Sequence, residues 1–210
     1  MKNLRLPLLL VAVFGGCLVG SALAQNRTST PSGVVNLGEL RANPNPQASG
    51  LTIQPRAIRA LSQSETLNRV RQVAPQVTSL SGQKWRITPA NLSNGPISVN
   101  IFNIARIQAY NPGNPGGGAT FLLVQPSSEF GVSFAGLKPG GTYLVTLEAS
   151  SKDLEITIFA PSKATTNITP AGEPILMVFQ VPANTGQTPQ MSIKSTGIIE
   201  FQSLELTQIN

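Results

Sequence analysis

Two glutamates stand at matching places in GGTYLVTLEASSKDLEITIF, residues 140–159: Glu148 closes one alternating apolar run and Glu155 opens the next. The chemistry open to them depends on how the runs pair. In a hairpin with Ala149 opposite Leu154, Glu148 faces Glu155 with Cβ atoms about 4.5–5.5 Å apart, and carboxyl groups roughly 5 Å apart suit a retaining glycosidase. If the chain instead crosses from one sheet to another, the two carboxylates lie on opposite outer surfaces and are merely solvated. Carboxylate chemistry is also the only side-chain catalysis that the composition leaves. The chain has no histidine, one cysteine (Cys17, in the N-terminal apolar run) and one aspartate, Asp153. These absences exclude Ser-His-Asp and Cys-His nucleophiles, histidine acid–base work, ordinary zinc, haem or copper ligation and an Asp-rich calcium loop. No metal or cofactor is expected, and the chain does not read as an enzyme.

A second set of polar groups lies in YNPGNPGGGA, residues 110–119. The loop is glycine-rich but lacks the following Lys-Ser/Thr and the strand-to-helix setting of a phosphate loop. It reads as a crossover loop. There Tyr110, Asn111 and Asn114 would border a site at one end of a sandwich, with amides to bond hydroxyls and glycines to allow close approach.

The elements that would position these residues are mostly strands. From Gln83 onward, short alternating runs are separated by Gly, Pro, Asn and Ser, the pattern of an all-β sandwich or barrel. Period-two alternation assigns Phe130, Val132 and Phe134 to one inward face, Tyr143, Val145, Leu147 and Ala149 to another, and Leu154, Ile156, Ile158 and Ala160 to a third. In PILMVFQV the inward set is Ile175, Met177, Phe179 and Val181. GIIEFQSLELTQI changes phase between Ile199/Phe201 and Leu204/Leu206, which predicts a β-bulge near Gln202–Ser203. Further strands are expected in KWRIT, in ISVNIFNIARIQAY with a bend, and in ATFLLVQ, about nine or ten in all.

Upstream of the strands, Ser62-Gln-Ser-Glu65 is a capping-box pattern, and Leu67, Val70 and Val73 recur on one helical face until Pro75. This predicts a short amphipathic helix over residues 63–74 that packs on the domain. Residues 25–60 are rich in Asn, Pro, Ser, Gly and Thr without apolar periodicity and read as a disordered or extended stem. The first 24 residues have Lys2 and Arg5, an apolar run from Leu6 to Val19 and Ala22-Leu23-Ala24, the pattern of an export signal. That run is broken by Pro7, Gly15 and Gly16 and falls short of the ~20 residues a membrane-spanning helix needs, so no transmembrane anchor is expected. Lipidation at Cys17 competes with cleavage after Ala24.

The net charge of +6 is unevenly spread. Residues 25–86 hold eight Lys/Arg against Glu39 and Glu65, whereas residues 87–210 hold five basic against seven acidic side chains. The arginines are scattered and lack interleaved aromatics, so nucleic acid is not an expected partner. Attraction to an anionic envelope or polysaccharide fits an exported chain better, and solvated charges on a flexible tether fit the scattered pattern better still.

GLKPGGTYLVTLEASSKDLEITIF, followed by VFQVPANTGQTPQMSIKSTGIIEFQSLELTQI, resembles the jelly-roll domains of the galactose-binding-like class, which include carbohydrate-binding modules of secreted polysaccharide hydrolases. The resemblance covers residues 120–210. It implies a jelly-roll β-sandwich over residues 83–210, behind a helix and connector at 61–82, the stem at 25–60 and the signal at 1–24. It also favours the crossing of the Glu148 and Glu155 strands. Such modules commonly stack sugars on exposed aromatics, and the available platforms here are Trp85, Tyr110 and Phe159. Trp85, between Lys84 and Arg86, fits better as a core anchor. The ligand-binding candidates are therefore Tyr110, Asn111, Asn114 and Phe159. The function implied is an exported, non-catalytic module that binds polysaccharide at the cell envelope or outside, placing it as secreted, periplasmic or on the cell surface. The alternative is a structural or adhesion component of the envelope that binds another protein.

Overall fold

The computed structural model describes residues 57–101, 107–111, 119–126, 129–151, 153–160, 163–168, 172–183, 186 and 188–209. Residues 1–56, which include the expected export signal with Cys17 and most of the expected stem, and Asn114 lie outside the described residues.

Among the described residues one helix, α1 (Gln63–Arg71), precedes twelve strands: β1 (Lys84–Ile87), β2 (Ser93–Asn94), β3 (Ile97–Ile101), β4 (Ile107–Tyr110), β5 (Phe121–Val124), β6 (Glu129–Phe134), β7 (Thr142–Ser150), β8 (Leu154–Phe159), β9 (Lys163–Ile168), β10 (Ile175–Gln180), β11 (Gln190–Lys194) and β12 (Ile199–Ile209). They form two antiparallel sheets. The first runs β10-β7-β12-β5-β4 with β1 also paired to β12, and the second runs β2-β3-β6-β11-β8-β9. Within these, β5 to β12 form the order β5-β12-β7-β10 facing β6-β11-β8-β9. Successive strands change sheet at every step except the β8–β9 hairpin. This is the double Greek key of a jelly roll, so the expected sandwich is what the chain forms.

Alternation builds the core as the sequence predicts. All the inward residues assigned to EFGVSFA, TYLVTLEA, DLEITIFA and PILMVFQV belong to one buried cluster between the sheets, with Ile199, Phe201, Leu204 and Leu206. Its aromatic pairs are Phe130–Phe201 at 4.8 Å, Phe134–Phe179 at 5.6 Å and Tyr143–Phe179 at 5.8 Å between ring centroids. The Tyr143 hydroxyl stays satisfied by accepting the Lys138 N–H at 2.9 Å, as a buried polar tip requires. Trp85 packs against this cluster from β1. Its indole lies over Gly95, where φ is +56° and a Cβ would come within 2.2 Å of the ring, so both the turn and the packing require glycine.

The phase change in β12 is a bulge between Phe201 and Ser203. It sits where β12 changes neighbour: Ile199–Phe201 pair with β5, and Leu204–Thr207 pair with β1 along the same edge, while β7 holds the other edge. Two short strands carry no apolar alternation and were not anticipated, Ser93–Asn94 and Lys163–Ile168. The latter, KATTNI, is an edge strand recruited by its register with β8.

The outer face of the first sheet is partly apolar, and α1 covers it. Val70 is fully buried, and Leu61, Leu67 and Val73 pack with it on Leu144, Leu176, Val178 and Ile209. Strand β10 is thus buried on both faces, which accounts for five consecutive apolar residues where one inward set would need only alternate ones. The capping box forms: Glu65 N–H donates to Ser62 Oγ (3.2 Å) and Ser62 N–H to Glu65 Oε2 (2.9 Å). The helix ends at Arg71, three residues earlier than expected, and a turn carries the chain to Pro75. Arg59, which the sequence assigns to the stem, joins this assembly. Its N–H donates to Gly172 O (2.8 Å), and its guanidinium pairs with Glu65 (3.0 Å) and Glu173 (2.7 Å). Among the described residues no helix is long and apolar enough to cross a membrane.

Candidate functional site

Glu148 and Glu155 settle the first chemical question. Glu148 lies in β7 of the first sheet and Glu155 in β8 of the second, with both strands' inward residues meeting in the core between them. The carboxylates point from opposite surfaces and are not a catalytic pair. The crossing is pinned by hydroxyls: Ser151 and Ser195 share a hydrogen bond of 2.6 Å, while Ser195 and Thr196 donate to Asp153 at 3.0 and 2.9 Å. Asp153 therefore serves a turn. Glu148 is not merely solvated: Arg86 Nη2 donates to it at 2.8 Å and Ser203 Oγ bonds the same oxygen.

Of the candidate ligand residues, Asn114 lies outside the described residues, and the elements that carry Tyr110 and Phe159 belong to different sheets. Tyr110 ends β4, the edge of the first sheet, and half-buried Asn111 follows it. Phe159 ends β8, one strand in from an edge of the second sheet. Among the described residues Phe159 is the one large hydrophobic side chain left exposed, at 41% of its surface.

Phe159 belongs to an ordered polar face. Outward residues of the second sheet fall into rows across the strands, set by register. The middle row is Gly131, Ser192 and Thr157, from β6, β11 and β8. One flanking row is Ser133, Gln190 and Phe159, and the other is Glu129, Lys194 and Glu155. Small residues in the middle and longer ones beside them make a shallow trough that runs perpendicular to the strands. Ser192 and Thr157 are buried at its base, whereas Gln190, Phe159, Lys194 and Glu155 are exposed along its sides. Asn100 of β3, opposite Gly131 in register, ends the middle row and donates to Ser133, and Lys194 pairs with Glu129 at 3.3 Å.

Adjacent strands lie about 4.7–4.9 Å apart, so Ser192 and Thr157 at the base and Ser133 and Gln190 on one side stand at that interval. Each hydroxyl or amide can donate and accept, and the Phe159 ring supplies a flat apolar surface on one side. The array suits a neutral, extended, hydroxyl-bearing chain. Among the described residues no group of three His, Cys, Asp or Glu side chains is placed to hold a metal. Sequence reading identified Glu155, Thr157 and Phe159 on or beside this face. It missed Gln190, Ser192 and Lys194, because β11 joins β8 only through the sheet and no local pattern announces that pairing.

No protein-family model and no curated protein matches the chain. Among solved structures, TmCBM61 in complex with β-1,4-galactotriose is similar at 12% identity over 54% of this chain and 89% of that one, with a TM-score of 0.36. A family 29 carbohydrate-binding module is similar at 11% identity over 60% and 88%, also with a TM-score of 0.36. A family two carbohydrate esterase from Cellvibrio japonicus is similar at 15% identity over 61% of this chain and 35% of that chain, with a TM-score of 0.35. The jelly-roll assignment rests on strand order, and no residue role is carried over from these chains.

Proposed function

We propose that the chain is a non-catalytic carbohydrate-binding protein that takes an extended polysaccharide in the trough of its second sheet. The observation that carries this reading is the trough itself: a base of small residues including Ser192 and Thr157, sides of Gln190, Lys194 and Glu155, and one exposed ring, Phe159. A polysaccharide presents hydroxyls at its edges and C–H faces on its rings, and these groups match hydroxyl or amide partners and an aromatic plane. The absence of histidine and the separation of Glu148 from Glu155 support binding without turnover. Export, to the cell surface, the periplasm or the medium, belongs to the same proposal and is supported by Lys2, Arg5, the apolar run and Ala22-Leu23-Ala24.

A glycan array probed with the mature chain tests the reading, with each hit re-measured on Phe159→Ala and Gln190→Ala. Retention of one or more glycans that both substitutions weaken is the expected result. No retained glycan, or retention indifferent to both substitutions, refutes it.

One observation favours a second reading, an envelope component that binds another protein. Among the described residues strand β10, with the apolar sequence ILMVF, is an edge strand paired with β7 alone, and an open edge can accept an added strand. A proline at Val178 would block such pairing without touching the trough.

A further inference from the structure

The first sheet's outer surface is apolar under α1 but becomes polar beside it. There the helix and sheet leave a groove of about 260 Å³. Its floor is built from three strands that are remote in sequence: β1 supplies Lys84 and Arg86, β12 supplies Ser203 and Glu205, and β7 supplies Glu148. Two ion pairs lie across it, Arg86–Glu148 at 2.8 Å and Lys84–Glu205 at 3.2 Å. The Trp85 and Ile87 side chains point to the opposite face, so strand alternation alone delivers both cations to the groove.

The two carboxylates are only partly satisfied. Glu148 Oε2 takes both of its donors, Arg86 and Ser203, and Glu205 Oε1 takes both of its own, Lys84 and Thr207. Among the described residues no donor reaches Glu148 Oε1 or Glu205 Oε2. The carboxylate side chains are 22% and 27% exposed, whereas the cations are 52% and 49% exposed. The groove thus has acceptors at depth and donors at its lip. Thr146, opposite Glu205 in register and two residues from Glu148 along β7, also lines the groove. Leu61, Leu144 and Pro174 add apolar wall.

We propose that this groove is a second ligand site, specific for a single neutral hydroxyl-rich ring such as a terminal sugar residue. Two unfilled carboxylate oxygens call for a ligand that donates. Adjacent Arg86 and Lys84 call for one that also accepts, and the equal numbers of each charge give no preference for an ion of either sign. Ring hydroxyls do both. The size agrees, because pockets for drug-sized ligands hold roughly 300–1,000 Å³ and this one is smaller. The site lies on the opposite surface from the trough and does not depend on it.

The test is a ¹H–¹⁵N NMR titration of the mature chain with glucose, galactose and mannose as separate probes, and with spermidine as a cationic control. At least one sugar should perturb Arg86, Thr146, Glu148 and Glu205 together. The double substitution Glu148→Gln/Glu205→Gln should weaken that response at least tenfold, Thr146→Val should weaken it without altering the fold, and Phe159→Ala should leave it unchanged. Silence of these residues toward all three sugars, a response to spermidine alone, or a sugar response lost with Phe159→Ala would overturn the proposal. Survival of the groove response alongside failure of the glycan array would remove only the trough reading.

Discussion

Phe159→Ala is the sharpest perturbation of the trough. The ring leaves 41% of its surface exposed. On a side chain of roughly 200 Å² that is about 80 Å², and covering it with the C–H face of a sugar gains about 2 kcal/mol at ~25 cal/mol per Å². Ordering costs in the ligand subtract from this. The expected loss on truncation is therefore about 10- to 30-fold in Kd, at ~1.4 kcal/mol per tenfold. Isothermal titration calorimetry with the glycan best retained on the array measures it directly. Phe159→Trp keeps a flat apolar face and should bind at least as well as the parent. Phe159→Leu keeps much of the apolar volume but not the plane, and should fall between the parent and Phe159→Ala. The ring lies on the outer side of β8, so thermal unfolding should shift by only a few degrees, about what ~1 kcal/mol does to a domain of this size. A Kd changed less than threefold in a folded Phe159→Ala protein would show that the trough is not where the glycan lies.

Val70→Ala removes a fully buried side chain between α1 and the first sheet. The lost burial and the remaining cavity should cost about 2–3 kcal/mol, read as a lower urea midpoint within a single cooperative transition. A separate early transition would mean that the helix is not integral to the domain. Glu65 is held at a pKa of about 2 by the Ser62 N–H, the Ser62 hydroxyl and Arg59, below the ~4.3 of an unfolded glutamate. The cap's stabilisation is thus complete above that unfolded value and drains away as pH falls through about 2. The stability difference between the parent and Glu65→Ala should shrink over that acid range, and a pH-independent difference refutes the assignment. Glu155→Gln should leave stability unchanged, while Glu148→Gln should cost at most ~1 kcal/mol because its partner Arg86 is half exposed.

Local sequence carried much of this architecture because the relevant interactions have short periods. Alternation in TYLVTLEA and DLEITIFA assigns an inward face without knowledge of any partner strand. The phase change between Phe201 and Leu204 locates a bulge for the same reason, and Ser62 and Glu65 define a helix start within one turn. Absence was equally legible: a chain without histidine cannot do histidine chemistry in any fold. Tertiary structure decided whatever depends on neighbours distant in the chain. Glu148 and Glu155 are seven residues apart in sequence, yet only the crossing from β7 to β8 puts them on opposite surfaces. Lys163–Ile168 is polar and threonine-rich and becomes a strand because β8 offers it an edge. Leu144, Leu176 and Val178 lie on the outward side of their strands, and their burial follows from α1 docking there. The trough and the groove are both products of register, which sets Thr157 beside Ser192 and Arg86 near Glu148. Backbone hydrogen bonds between strands are blind to side-chain identity, so such neighbours are chosen by the whole sandwich and not by any local stretch of it.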